Sequence, residues 1–339
     1  MEARTALVTG AGGEMGHLLL PELERAGYEL ITLDLKPLDA GLAALCKRAV
    51  VGSVADAPLV ASLFREHPPE AVFHLAALLS SKAERDPDLA HEINVGATLD
   101  LFRHGRERAR ESGRDVRFLF PSSIAVYGLP DARTKERAGA VAEGAFNHPA
   151  GMYGCNKLYG EMVGSYFTER ARKDATPGLD FRAIRFPGLI SAETLPSGGT
   201  SDYAPEMIHA AAQGHPYSCF VSADTRMPFM TMPDAVAALV RLDAAPAARL
   251  TRRVYNIGAF SPSAAEIREA ALRHYPDARI TFEPVAWRQA IVDTWPAAVD
   301  DAKARRDWGH AHRLGLDAAL SDYLVPALQA RYGVRAVRI

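Results

Sequence analysis

Val8-Thr9-Gly10-Ala11-Gly12-Gly13-Glu14-Met15-Gly16 decides how this chain folds. It follows an apolar run, Thr5 to Val8, and opens an amphipathic segment ending near Gly27, so strand, glycine turn and helix come in the order a dinucleotide site requires. Gly10 permits the tight turn, Gly13 lets the backbone approach a pyrophosphate at the helix N-terminus, and Gly16 allows close packing of helix on strand. Glu14 and Met15 belong to the same turn. A glycine triplet alone is a weak signal. Here a second apolar run, Glu29 to Leu33, ends in Asp34, eighteen residues after Gly16, where a carboxylate would hold adenosine ribose hydroxyls.

Working outward, apolar runs alternate with helical periods. Arg48 to Val51, Ala71 to Leu75, Val116 to Pro121 and Phe181 to Phe186 read as strands. Between them, helices are expected near Ala57 to Glu66, Asp88 to Arg110 and Met152 to Arg172. The alternation predicts an α/β fold with a doubly wound parallel sheet. From Pro187 the chain turns to loops rich in Pro, Gly, Ser and Thr, expected to build a smaller C-terminal substrate lobe at the carboxyl ends of the strands. Residues 1–186 are therefore expected to form the nucleotide-binding unit, with returns near 228–260, and 187–227 with 261–339 the smaller lobe.

The 339 residues are 48% apolar, enough for a sizeable core without cross-links. Net charge is −2, and the arginines between Arg103 and Arg110 read as a solvated helix face, so no nucleic-acid partner is expected. Cys46, Cys155 and Cys219 are odd in number and lack metal spacing, which suits a reducing compartment. His74, His310 and His312 likewise lack ligand spacing, and no metal is expected. The first strand begins almost at Met1, and no apolar run approaches the ~20 residues of a membrane span, so a cytoplasmic protein is expected.

Chemistry enters at Tyr153-Gly154-Cys155-Asn156-Lys157, where a spacing of four puts Tyr153 and Lys157 on one helix face. A phenol titrates near ~10, so a base useful at neutrality needs roughly 4 kcal/mol of help. One ammonium at about 4 Å supplies that much at an effective dielectric of ~20. Cys155 points away from this face and is expected to pack. Pro121-Ser122-Ser123-Ile124-Ala125-Val126-Tyr127-Gly128 closes the fifth strand, where a doubly wound sheet presents ligand-facing groups.

The glycine turn, Phe73-His74-Leu75-Ala76-Ala77, Asn94-Val95-Gly96-Ala97-Thr98, the serine pair and the Tyr/Lys pair together resemble the extended short-chain dehydrogenase/reductase superfamily, of the NAD-dependent epimerase/dehydratase type. The resemblance implies a Rossmann fold, NAD as cofactor, and Tyr153, Lys157 and Ser123 as catalytic residues, with Ser122 a neighbour. It places the cofactor on Gly10, Gly13, Glu14, Met15, Gly16, Asp34, Ser53, Val54, Leu75, Ala76, Ala77, Asn94, Tyr153, Lys157 and Pro187. Ser53 stands where the superfamily usually has an acid. It also implies a homodimer built on the two long helices, with Leu158, Met162 and Tyr166 as an apolar stripe.

In the second half, Arg185-Phe186-Pro187-Gly188, Gly198-Gly199-Thr200-Ser201-Asp202-Tyr203-Ala204, Asp224-Thr225-Arg226-Met227-Pro228 and Arg288-Gln289-Ala290-Ile291 with Asp293-Thr294-Trp295-Pro296 resemble the short-chain type of L-threonine 3-dehydrogenase. This implies oxidation of the β-hydroxyl of L-threonine to 2-amino-3-oxobutanoate, with Ser80, Ser123, Tyr153, Gly199, Thr200 and Ser201 around the substrate. The Gly198 and Gly199 amides are expected to receive its carboxylate. Two departures stand out: a charged insertion, Asp131 to Arg137, which would lengthen a lid, and an extended turn, Lys173 to Gly178. Lys82 and Arg85 would either hold a carboxylate or cap a helix, the latter being the favoured reading. A nucleotide-sugar epimerase or dehydratase uses the same catalytic set but needs a diphosphate clamp, for which Arg226 is the one candidate. A catalytically silent cofactor sensor on the same fold is the remaining alternative.

Overall fold

Seven parallel strands form the central sheet of the computed structural model, which describes residues 4–196 and 198–333. In chain order they are β1 (Arg4–Thr9), β2 (Tyr28–Asp34), β3 (Cys46–Val51), β4 (Ala71–His74), β5 (Val116–Ser123), β6 (Leu179–Phe186) and β7 (Val254–Asn256). Their spatial order is β7-β6-β5-β4-β1-β2-β3, a doubly wound arrangement whose strand order reverses between β1 and β4. Residues 334–339, expected in the smaller lobe, lie outside the described residues.

Both faces of the sheet are covered. Leu19, Leu20 and Leu23 of the helix Glu14–Arg25 pack with Leu239 and Leu242 of the helix Met232–Ala244 on one side. On the other, Leu63, Phe64, Phe102, Phe118 and Phe181 share a cluster with side chains of the helices Ala57–Glu66, Ala97–Ser112 and Met152–Lys173. This double burial leaves β4 and β6 buried along their whole length rather than alternating; β4 is largely apolar, whereas β6 carries Asp180, Arg182 and Arg185 as buried, paired charges. A third cluster, with Tyr203, Met207, Phe229, Ile267, Trp295 and Leu328, fills the region beyond the carboxyl ends of β5 and β6. Short parallel pairs stiffen it, such as Phe229–Thr231 on Gly188–Ile190.

The expected helix from Asp88 to Arg110 is not regular. A helix Pro87–His91 passes through a π turn, Glu92–Gly96, into the helix Ala97–Ser112. The turn contains Asn94, and a π turn of this kind accompanies functional positions more often than chance. The insertion at Asp131 to Arg137 is not a lid. It forms a helix, Ala132–Ala138, capped by Asp131, and Lys135 Nζ reaches the Val292 carbonyl at 3.1 Å. Burial lowers the Lys135 pKa to about 8, against the pull of Asp293 and Asp224.

Candidate active site

Gly10 has φ +69°, and a Cβ there would meet the Ala76 amide nitrogen at 2.6 Å, so both conformation and space demand glycine. At Gly16 a Cβ would collide with the Ala11 carbonyl, which places the close approach on the turn itself rather than along the strand. Asp34 is fixed at the end of β2: its Oδ2 accepts from Gly12 N at 2.9 Å and its Oδ1 from Lys36 N at 3.1 Å. The carboxylate is thus held beside the glycine turn.

From this turn a cleft of about 620 Å³ runs along the carboxyl ends of the strands, within the range of small-molecule sites. Gly10, Gly13, Glu14, Met15, Gly16, Leu75, Ala77 and Pro187 line it, as do Ser80, Ser123, Tyr153, Lys157, Gly199 and Ser201. Asp34, Ser53 and Val54, expected at the adenosine end, lie outside this lining. Ser53 Oγ accepts from Ala55 N, and Val54 is buried. Ala76 lies against Gly10. Asn94 does not line the cleft but shapes it, exchanging two hydrogen bonds with the Leu78 backbone and donating to Asn156 Oδ1 at 3.2 Å.

Lys157 is buried, its Nζ 4.5 Å from the centre of the Phe120 ring and 5.6 Å from that of Tyr153. Burial lowers its pKa to about 7 against the pull of Glu161, and burial raises that of Tyr153. In the protein alone, loss of hydration thus favours the neutral phenol, in the direction opposite to the help expected from Lys157. Ser123 Oγ accepts from Ala125 N at 3.1 Å, so its hydroxyl proton can turn to another acceptor. Ser122 donates to Glu161 and is structural. His74 is buried between Thr9 and Thr98, as a packing histidine would be, and burial lowers its pKa to about 3.

Three expectations at the substrate end change. The Gly198 and Gly199 amides both donate to Asp202 Oδ2, at 2.9 and 2.6 Å, so the chain's own carboxylate takes the place foreseen for a substrate carboxylate. Thr200 is buried, with its amide and hydroxyl donating to Ser80 Oγ at 3.0 and 2.9 Å, and it supports Ser80 rather than lining the cleft. Cys155, expected to pack, is exposed instead. Leu35, Asp202 and Trp295 line the cleft without having been assigned to it, and Lys82, for which capping a helix was the favoured reading, lines it too. Asp202 lies within the Gly-Gly-Thr-Ser-Asp run, which was the available signal. Arg226 does not line the cleft: it donates to the Ser261 carbonyl and pairs with Glu266 at 3.0 Å.

With this geometry described, comparison with known proteins is informative. The family model "NAD dependent epimerase/dehydratase family" matches residues 6–258. A mitochondrial L-threonine 3-dehydrogenase from Bos taurus is 34% identical over 253 residues, 75% of this chain and 63% of that protein, so the chain spans less than two thirds of that relative's length. The solved L-threonine dehydrogenase of Clostridium difficile superposes with a TM-score of 0.85 at 30% identity, covering 98% of this chain and 99% of that one. A monomeric L-threonine 3-dehydrogenase from a metagenome superposes at 0.84 with 31% identity, covering 96% and 99%. With its Rossmann sheet, glycine turn and Tyr153/Lys157 pair in one cleft, this chain belongs to the NAD-dependent epimerase/dehydratase family.

Proposed function

We propose that the protein oxidises the β-hydroxyl of L-threonine to 2-amino-3-oxobutanoate with NAD. The observation that carries this reading is one continuous cleft with the glycine turn at one end, Ser123, Tyr153 and Lys157 within it, and Ser80 and Ser201 beyond. What NAD supplies when bound is a hydride acceptor, so the substrate C–H leaves with its electron pair while its O–H proton goes to the protein. Tyr153 receives that proton, Ser123 donates to the substrate oxygen, and Lys157 holds the phenolate. Asn94, by fixing the Leu78 backbone, keeps the Ser80 side of the cleft in place. The nucleotide-sugar alternative loses its one candidate clamp, since Arg226 is committed to Glu266 and Ser261. Turnover of L-threonine in a panel with 3-hydroxybutyrate and UDP-sugars tests the reading.

Asp34 sets the cofactor. The residues present fit an adenosine ribose diol, because two main-chain amides already orient the carboxylate at the turn. A 2′-phosphate about 4 Å away would cost roughly 4 kcal/mol per charge pair at an effective dielectric of ~20. The kcat/KM ratio of NAD over NADP is therefore expected to exceed about 100, and steady-state kinetics with both cofactors checks it. Equal efficiencies would show that Asp34 does not face the ribose.

The assembly proposed is a homodimer through the helix Met152–Lys173. The exposed apolar residues there are Tyr159, Met162 and Tyr166, whereas Leu158 is partly buried against the core, so the expected stripe keeps Met162 and Tyr166 and has Tyr159 in place of Leu158. Light scattering at micromolar concentration should give twice the chain mass, falling to the monomer with Met162→Glu; a monomer mass for the parent protein rejects the interface. No helix among the described residues is long and apolar enough to cross a membrane. The three free cysteines suit the cytosol as its place of work.

A further inference from the structure

We propose that Lys82 anchors the carboxylate of the substrate and so sets specificity for a carboxylated alcohol over a neutral one; this rests on the reading of function given above. The backbone donors of the 198–200 loop beside Ser80 are already committed. Both glycine amides of the 198–199 turn go to Asp202, and the amide and hydroxyl of Thr200 go to Ser80. A carboxylate entering this end of the cleft is left with the neutral hydroxyls of Ser80 and Ser201, and a charged partner is still wanted because an unpaired charge in a partly dry site is costly.

Two ammonium groups line the cleft among the described residues, Lys157 and Lys82. Lys157 is buried against the rings of Phe120 and Tyr153 and serves the proton-transfer end. Lys82 is different. It stands on the short helix Ser80–Arg85, two residues from Ser80, is exposed, and its ammonium makes no ion pair or hydrogen bond among the described residues. The neighbouring Glu84 is turned elsewhere, its Oε1 accepting from Met152 N at 2.6 Å. An unpaired ammonium on a flexible four-carbon stem suits a carboxylate as a point charge. Asp202 lines the same cleft with the opposite sign, so the site carries both charges that a zwitterion requires.

The test compares the full-length wild type with Lys82→Met and Lys82→Arg. It reads kcat and KM for L-threonine, the inhibition constant of L-threoninamide, which lacks the carboxylate, and the Kd of NAD by calorimetry. Lys82→Met should raise KM for L-threonine about 10- to 100-fold, the range of a hydrogen bond to a charged group, with kcat changed less than about twofold. Lys82→Arg should restore most of the loss, while L-threoninamide and NAD should bind all three proteins alike. An unchanged KM in Lys82→Met overturns the assignment, as does a matching loss of NAD affinity, which would give Lys82 to the cofactor. If the wild type leaves L-threonine untouched, the functional reading falls first and this assignment with it; wild-type turnover with an unaffected Lys82→Met overturns the assignment alone.

Discussion

Tyr153→Phe is expected to lower kcat by about 10²- to 10⁴-fold, the usual worth of a positioned general base, while NAD affinity stays within a factor of about two. The ring remains, so the packing of Lys157 beneath it is preserved; only the oxygen that receives the substrate proton is lost. Burial raises the Tyr153 pKa and lowers that of Lys157 to about 7, so the protein alone holds a neutral phenol near neutrality. Activity should therefore rise with pH up to about 7, as proton removal from the tyrosine is favoured, and level off above it, where Lys157 loses the ammonium that holds the phenolate; Tyr153→Phe should flatten that profile. Stopped-flow hydride transfer together with calorimetric NAD binding checks both halves. Retained turnover in the variant would remove Tyr153 from the chemistry.

The second large effect is on stability. Glu161 and Arg185 form an ion pair in which both side chains are 3% exposed. Arg185 Nε and Nη2 donate to the two carboxylate oxygens at 2.9 and 2.6 Å, Ser122 donates to Oε1, and Arg185 Nη1 reaches the Glu143 carbonyl and Asn147 Oδ1. Removing the carboxylate strands a buried guanidinium, so Glu161→Ala should cost about 3–5 kcal/mol, and Glu161→Gln less because it keeps part of the hydrogen bonding. Urea unfolding measures the difference. The exposed pair Arg170–Asp174 is the control, and Asp174→Ala should leave the midpoint unchanged. The same network ends at Ser122, next to Ser123, and Glu161 acts electrostatically on Lys157. Glu161→Gln should thus also disturb catalysis, though less than Tyr153→Phe.

What was legible in the sequence follows from range. Gly10, Asp34 and the Tyr153/Lys157 pair announce themselves through spacing within one turn, one strand or one helix, and local geometry keeps them where spacing puts them. The parallel sheet was readable from the alternation of apolar runs with helical periods, although β6 hides three buried charges, Asp180, Arg182 and Arg185, within its run. Asp202 filling the glycine turn could not be read, since its competition with a ligand for two amides depends on how the loop closes. Thr200 looked like a pocket hydroxyl by position, yet it is Ser80, 120 residues earlier, that receives both its donors. Cys155 shows the same division: helical spacing gave its direction, but whether anything covers that side is a tertiary fact. The charges of Asp131 to Arg137 suggested a mobile lid, whereas Lys135 finds a carbonyl 157 residues away and ties the helix down.

The central claim is that the cleft oxidises a β-hydroxy amino acid. Its most direct test is the initial rate of NADH formation with L-threonine and with 3-hydroxybutyrate, at equal concentration and saturating NAD. A polar site left with unpaired groups rejects an analogue lacking its hydrogen-bonding substituent far more strongly than it rejects a missing methylene. The account predicts a kcat/KM for L-threonine at least about 10³-fold above that for 3-hydroxybutyrate, with 2-amino-3-oxobutanoate as the product. Turnover of 3-hydroxybutyrate or a UDP-sugar with L-threonine left untouched would contradict it.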